Sequence, residues 1–269
     1  MRRSPAGLLL IVAGVLIALA VSTWWFQRVA FSPSSDSNKT LSILGDEDIR
    51  SEIATIVAGA DAAQLSQSPT QLKEFIEGIA QLPDGAALMS EFVGNAHARL
   101  IGDREATVEI TAAEQVTIVR DERVGELAVI TLPVEEVGSL SFIDSGAKWL
   151  SLASLALGII LLVAGLVLNA ERGEFTFALG VTMATLAGLL VLLGYLVPLA
   201  GLPALSDDTW MGVFPRLANH DRNLTLALAI GALIIGAVAT FGTNDRRRRR
   251  QTSTPMSAGR YRVDRSWSR

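Results

Sequence analysis

Four uncharged apolar runs constrain the fold of this 269-residue chain more than any other feature of its sequence. They cover residues 6–26, 149–168, 175–199 and 224–241. A helix needs about 20 apolar residues to cross the hydrocarbon core of a bilayer. Each run is close to that length, and none contains Asp, Glu, Lys, Arg or His. The pattern predicts a membrane protein with four transmembrane α-helices.

The first run has two interpretations. A basic start (Arg2) and the Ala-Leu-Ala sequence at 18–20 fit a cleaved signal peptide. However, the run continues to Trp24 and Trp25, which is typical of an aromatic belt at a membrane face. We therefore expect residues 1–27 to remain as an N-terminal membrane anchor. Both interpretations export the segment that follows.

The charged residues are distributed unevenly and predict the orientation. Residues 28–148 contain 9 Lys and Arg against 20 Asp and Glu, a net charge of −11. Residues 242–269 contain 9 Arg against 2 Asp, a net charge of +7. Cytoplasmic segments of membrane proteins carry an excess of Lys and Arg. The chain is therefore expected in the plasma membrane as a multi-pass protein with both termini in the cytoplasm.

The segment between the first two runs is expected to form a small extracytoplasmic α+β domain, residues 28–148. Ser32 to Thr40 is interpreted as a polar linker. Helical periodicity then predicts three helices, which begin near residues 46, 68 and 86. Short β-branched runs predict strands at 106–110, 116–119 and 127–132, and an alternating run at 140–143 predicts a fourth.

The rest of the chain is divided by the same arguments. Residues 149–241 are predicted to form a three-span transmembrane region, which includes an outer loop at 200–223. Residues 242–269 are predicted to form a basic cytoplasmic tail.

Few residues are suited to catalysis or metal binding. The chain has no cysteine, and its only histidines are His97 and His220. The acidic run at 46–48 is explained by the start of a helix, where negative charge is favourable. The adjacent glutamates at 135 and 136 would point to opposite faces of a strand, so they are not expected to act as an acid/base pair. We therefore assign no catalytic, cofactor-binding or metal-ligating residue and expect no cofactor.

The outer loop contains an apolar segment at 210–214. It would lie either in the membrane interface or against the exported domain, and the interface is the favoured alternative. The predicted interface anchors are the tryptophans that flank the runs and this segment, namely Trp24, Trp25, Trp149 and Trp210.

A cluster of cations follows the fourth run. It consists of Arg246, Arg247, Arg248, Arg249 and Arg250. We expect these side chains to contact anionic lipid headgroups, because each basic residue near such a surface contributes about 1 kcal/mol of attraction. The alternative is that these arginines only determine the orientation of the last helix in the membrane. Nucleic-acid binding is not expected, since the tail is short.

Two sequence stretches are notable: 138–149, which leads into the second run, and 210–218, which reads Trp-x-x-Val-Phe-Pro-Arg-Leu-Ala. They resemble segments of a group of actinobacterial integral membrane proteins of unknown function. The layout is also similar, with one anchor, an exported domain, three further spans and an arginine-rich tail. The resemblance implies an architecture and no activity.

These observations favour a non-enzymatic protein of the cell envelope. Its acidic exported domain would bind an envelope partner or organise the surface, and its partners would be the lipid bilayer and another protein or a second copy. Pumps usually place ionisable residues within the membrane, and these runs have none. A lipid-transporter subunit with a groove at Thr182, Thr185 and Tyr195 is the alternative. An extracytoplasmic hydrolase using His97 or the loop at 207–221 is a lesser one.

Overall fold

The computed structural model describes residues 4–33, 36–168 and 172–251, without the side chains of residues 172 and 242–251. In chain order the helices are α1 (Pro5–Ala30), α2 (Ser37–Leu44), α3 (Glu47–Leu65), α4 (Pro69–Ala80), α5 (Pro83–Leu88), α6 (Ser90–Leu100), α7 (Ala112–Val119), α8 (Gly138–Val167), α9 (Arg172–Val191), α10 (Val213–His220) and α11 (Arg222–Gln251). The strands β1 (Val108–Ile110) and β2 (Ile130–Leu132) pair antiparallel, with Val108 opposite Leu132.

Four of the helical segments are long and apolar enough to cross a membrane. They are Pro5–Ala30, Gly138–Val167, Gly173–Gly201 and Arg222–Phe241, with lengths of 26, 30, 29 and 20 residues. Each covers all or nearly all of one of the four apolar runs, so the prediction of four such helices is confirmed. Together they give the chain the composition of a multi-pass membrane protein.

Helix α1 lies in the middle of the bundle and packs on both α8 and α9, while α11 packs on α9. Glycines allow these close approaches. A Cβ atom at Gly165 of α8 would lie 2.8 Å from Leu10 of α1, and one at Gly236 of α11 would lie 2.9 Å from Met183 of α9. Small residues at such positions let helix backbones approach closely, which is how helices associate in lipid.

The third long helix changes its winding before it ends. Beyond α9 it continues as a π-helix over Leu192–Gly201, which contains Pro198. In this segment Gly194 lies against Trp25 of α1 and Thr225 of α11. Trp25 Nε1 donates a hydrogen bond of 3.0 Å to Thr225 Oγ1. The π-helical turns therefore lie where three of the long helices meet.

Residues 36–137 form a mainly helical unit, which we call the helical unit. Its core is built from α3 residues such as Ile49, Ile53 and Val57, and it is continuous with Phe31 after α1 and with Phe214 of α10. Because one core connects these parts, the helical unit packs directly on the ends of the long helices.

Two of the four predicted strands are wrong. Residues 116–119 belong to α7, because Thr111 and Glu114 form a reciprocal capping box that starts a helix there. Residues 140–143 lie in the first turns of α8, where Leu140, Asp144 and Ala147 are buried at helical spacing. The other two predicted strands contain β1 and β2. The described sheet is therefore a two-stranded ribbon in a helical unit.

The predicted polar linker is only partly irregular. Asp36 caps α2 by accepting a hydrogen bond of 2.9 Å from the Asn38 backbone N–H, so the second half of the segment is helical. A carboxylate at this position satisfies one of the free N–H groups at the start of a helix. The linker between α1 and the helical unit is thus shorter than the sequence indicates.

Candidate functional site

The segment after the π-helix packs beneath the helical unit. Trp210, Met211 and Phe214 are buried, and Trp210 Nε1 donates a hydrogen bond of 3.2 Å to Glu52 Oε1 on α3. The preference for a position in the membrane interface is therefore wrong for residues 210–214. The alternative arrangement, packing against the domain, is the one observed. The amphipathic pattern of this segment matches a protein surface instead of lipid.

Asp46 fixes this segment to the start of α3. Its Oδ1 accepts a hydrogen bond of 3.5 Å from the Ile49 N–H as the helix cap. Its Oδ2 pairs with Arg216 Nε of α10 at 3.2 Å. Gly212 passes so close that a Cβ atom there would lie 3.1 Å from the Asp46 carboxyl carbon. One carboxylate thus holds α3 and α10 together.

A second contact supports the same junction. Ser42 Oγ of α2 donates a hydrogen bond of 3.0 Å to the Arg216 carbonyl oxygen. Both the side chain and the backbone of Arg216 are therefore held by the α2–α3 corner. The geometry orients α10 with Asn219 and His220 exposed at its far end.

An open cleft of about 630 Å³ lies between the first turns of α3 and residues 203–212. We call it the acidic cleft. Its carboxyl-bearing lining residues are Asp46, Asp48, Glu52, Asp207 and Asp208. The fold thus joins two acidic runs, at 46–48 and 207–208, that are about 160 residues apart in the sequence.

The carboxylates of the acidic cleft do not form a metal centre. Within the described parts of the chain, no group of three or more His, Asp or Glu side chains is arranged to hold a metal ion. Three of the five are already engaged, since Asp46 pairs with Arg216, while Glu52 and Asp208 accept hydrogen bonds from the indole and backbone N–H groups of Trp210. Asp48 and Asp207 are exposed on opposite walls. Such a spread of charge is complementary to a basic surface.

His97 lies at the junction of α6, α1 and α10, and only 2% of its surface is exposed. Its Nε2 atom is 2.9 Å from the Ala30 carbonyl oxygen at the end of α1. Since a carbonyl only accepts, Nε2 carries the proton. The ring also meets Phe214 edge-on. Burial lowers the pKa of His97 to about 4, and nearby Lys39 adds to the effect. A neutral, buried side chain of this kind is structural.

Asp61 on α3 is another ionisable group of the helical unit whose environment shifts its pKa. Its side chain is fully buried, and neither carboxyl oxygen has a hydrogen-bond partner. Burial raises the pKa of Asp61 to about 6, because removal from water disfavours the charged form. Asp61 does not line the acidic cleft.

The four tryptophans predicted as interface anchors differ in their exposure. Trp24 and Trp149 are exposed by 51% and 74%, whereas Trp25 is buried among the long helices and Trp210 beneath the helical unit. The backbone of the five arginines 246–250 belongs to α11, and their side chains lie outside the described residues. Their contact with anionic lipid stays a prediction.

The sequence did not predict that Glu52 and Arg216 connect α3 with the segment that contains Trp210 and α10. Glu52 lies one turn after Asp48 on α3, so helical spacing could have placed both on one face. No local signal pointed to Arg216, because its partner Asp46 is 170 positions away.

Comparison with protein-family models, with curated proteins and with solved structures finds no match for this chain. The likeness in layout to actinobacterial membrane proteins therefore stays a prediction, and function has to be argued from the geometry described above.

Proposed function

We propose that this chain is a non-enzymatic, multi-pass protein of the cell envelope whose helical unit lies outside the plasma membrane and binds a basic partner. The single observation that carries the proposal is the acidic cleft, where α3 and residues 203–212 bring five carboxylates to one open surface. Complementary charge on a partner would steer its approach and set its specificity.

The charge of the whole segment supports the same proposal. Residues 28–148 carry a net charge of −11, and the apolar helices flank them on both sides. A partner with exposed Lys or Arg would be attracted over a distance of roughly 10 Å at 0.1 M salt. The exposed carboxylates of Asp48 and Asp207 would then form its direct contacts.

The two other function classes have less support. Thr182, expected to line a transport groove, packs instead against Gly14 of α1. His97, expected to serve a hydrolase as base, is buried against Ala30 and Phe214. In the 207–221 loop, Asp207 lines the acidic cleft, but His220 lies at the far end of α10.

The proposal is tested by measuring how the purified full chain binds a defined arginine-rich peptide. The variant Asp48→Asn/Asp207→Asn removes two exposed charges from the cleft while leaving the Asp46–Arg216 pair intact. The control Glu74→Gln/Glu105→Gln removes the same charge from exposed positions elsewhere on the helical unit.

We expect the cleft variant to weaken peptide binding about tenfold, because each exposed ion pair contributes up to about 1 kcal/mol and tenfold corresponds to about 1.4 kcal/mol. The control variant should bind nearly as tightly as the wild type. Equal losses in both variants would show that only net charge matters and would contradict a role for the cleft. If only the cleft variant loses affinity, site-specific photocrosslinking from Thr209 in native membranes would identify the partner.

A further inference from the structure

A second, smaller cleft lies between the end of α1 and the beginning of α8. It has a volume of about 270 Å³, and we call it the interface cleft. Its polar and aromatic lining residues are Trp24, Gln27, Arg28, Ser32, Asp144 and Lys148. It is distinct from the acidic cleft, since no residue lines both.

Contacts between α1 and α8 establish the level of this cleft along the bundle. Ser151 Oγ donates to the Ala20 carbonyl at 3.0 Å, and Gln27 Nε2 donates to the Asp144 carbonyl at 3.2 Å. In this antiparallel register Trp149 lies opposite position 22 of α1. That position is two residues before Trp24, which corresponds to about 3 Å along the helix axis at a rise of about 1.5 Å per residue.

Both tryptophans therefore mark one level, at the ends of two neighbouring apolar runs. They are also exposed, Trp24 by 51% and Trp149 by 74%. Exposed tryptophans at the ends of apolar helices are typical of the boundary between hydrocarbon and water. The interface cleft thus opens at the depth where phospholipid headgroups begin.

The cations of the cleft differ in how they are held. Arg28 forms no ion pair with a described residue, and its guanidinium carbon lies 6.0 Å from the ring centres of both Trp24 and Trp25. Lys148 Nζ pairs with Asp144 at 2.5 Å and approaches Asp103 at 4.0 Å. With one carboxylate against two cations, the lining of the cleft has a formal charge of +1.

A single positive charge in this position is complementary to a phosphodiester, which carries one negative charge. Arginine is suited to bind phosphate oxygens through two parallel hydrogen bonds, and lysine acts as a point charge. Below the cleft, exposed apolar side chains such as Val21 and Leu152 continue along α1 and α8. They offer a surface for acyl chains under the same headgroup.

We propose that the interface cleft binds the phosphodiester of a glycerophospholipid from the leaflet on the side of the helical unit, with Arg28 as its main ligand. The proposal rests on the membrane insertion proposed above, but not on a basic protein partner. A lipid bound here would lie beside the junction of α1 with the helical unit, because Phe31 lines the cleft and belongs to the shared core.

The test uses the full chain, purified in detergent and exchanged into an uncharged detergent, with native mass spectrometry as the readout. The probes are phosphatidylglycerol, diacylglycerol with the same acyl chains, and inorganic phosphate. Arg28→Gln removes the charge and leaves the Lys148–Asp144 pair intact. Arg222→Gln is the matched control, because Arg222 also lies over an aromatic ring, that of Tyr195, at 5.8 Å, but outside the cleft.

We expect one tightly bound phosphatidylglycerol, no comparable binding of diacylglycerol, and little retention of inorganic phosphate. Arg28→Gln should lower the affinity about tenfold, with partial recovery in Arg28→Lys and no change in Arg222→Gln. Rising salt should weaken the binding. A thermal unfolding curve for Arg28→Gln like that of the wild type would show that the loss is not due to misfolding.

Three results would overturn the proposal. Equal affinity of Arg28→Gln and the wild type would exclude Arg28 as a ligand. Equal binding of diacylglycerol would show that only acyl chains are recognised. Binding of inorganic phosphate as tight as that of phosphatidylglycerol would show an anion site without lipid specificity. Each is independent of the peptide experiment on the acidic cleft, which uses other residues and another probe.

Discussion

Single buried groups in this protein connect separate parts of the chain. His97 of α6 donates to the Ala30 carbonyl, one of the last carbonyls of α1, which have no partner within the helix. The same ring packs on Phe214 of α10. A neutral histidine here joins the helical unit to a long apolar helix and to the segment after the π-helix.

The pH dependence of stability should report on this histidine. The ordinary pKa of histidine is about 6.5, and burial lowers that of His97 to about 4. The unfolded chain therefore binds the proton more readily, so stability from this group is lost as the pH falls from about 6.5 towards 4. The full loss amounts to about 3 kcal/mol.

Asp61 acts in the opposite direction over part of that range. Its raised pKa of about 6 means that the folded chain binds this proton more readily, so stability from Asp61 is lost as the pH rises from about 4 to 6. The wild type alone would show a flattened profile. The informative quantity is the difference between the wild type and His97→Gln, whose amide keeps a donor near Ala30 but does not titrate.

We expect this difference in unfolding free energy, measured by chemical denaturation in detergent micelles, to favour the wild type at pH 7 and to shrink towards pH 4. A difference that stays constant with pH would show that His97 does not have a lowered pKa. Asp61 contributes equally to both proteins and cancels.

At the scale of elements, close helix approach determines the arrangement of the bundle. A Cβ atom at Gly158 of α8 would lie 2.9 Å from Ile17 Cγ1 and 3.3 Å from the Ala13 carbonyl oxygen of α1. Gly188 of α9, by contrast, has no atom within 4 Å of such a position. The two glycines therefore have different roles, although both lie within apolar helices.

Replacing Gly158 by Leu should force α1 and α8 apart and lower stability by about 1–3 kcal/mol, which is the usual cost of overpacking. Gly188→Leu provides the control, since its side chain would point into open space. The melting temperature in micelles is the measurement. A similar melting temperature for both variants would contradict the close packing of α1 on α8.

Local context explains why the strand predictions at β1 and β2 were confirmed and the one at 116–119 was wrong. β1 and β2 were found because each is a β-branched run with a partner, whereas 116–119 has similar composition but follows a capping box at Thr111. A hydrogen-bonded helix start at Thr111, five residues upstream of Val116, outweighs a weak strand preference. Inspection of the cap would have corrected this prediction from the sequence.

For the whole molecule, the uneven charge predicts which way the four apolar helices face. With a net charge of −11 between the first two helices and +7 after the fourth, the positive-inside rule predicts that the helical unit lies outside. The absence of natural cysteine makes a labelling test direct.

Two single-cysteine variants should differ in how they are labelled in intact cells. One is at Gln67, which is exposed on the helical unit, and the other is at Ser257, in the basic tail outside the described residues. An impermeant maleimide should label Gln67→Cys at once and Ser257→Cys only after permeabilisation. Labelling of Ser257→Cys alone would show that the orientation is the reverse of the predicted one. It would also place the acidic cleft in the cytoplasm and remove the envelope partner from the proposal.

The sequence by itself determined the number of long apolar helices and the uneven distribution of charge, because length, hydropathy and charge are properties of consecutive residues. It also indicated the helix start at Asp46, but it predicted a strand at 116–119, where Thr111 caps a helix. Only the tertiary structure decided that residues 210–214 pack beneath the helical unit and that Asp46 pairs with Arg216. Both depend on partners about 150 positions or more away in the chain. An amphipathic segment carries the same local pattern whether protein or lipid covers it, so only the fold distinguishes the two.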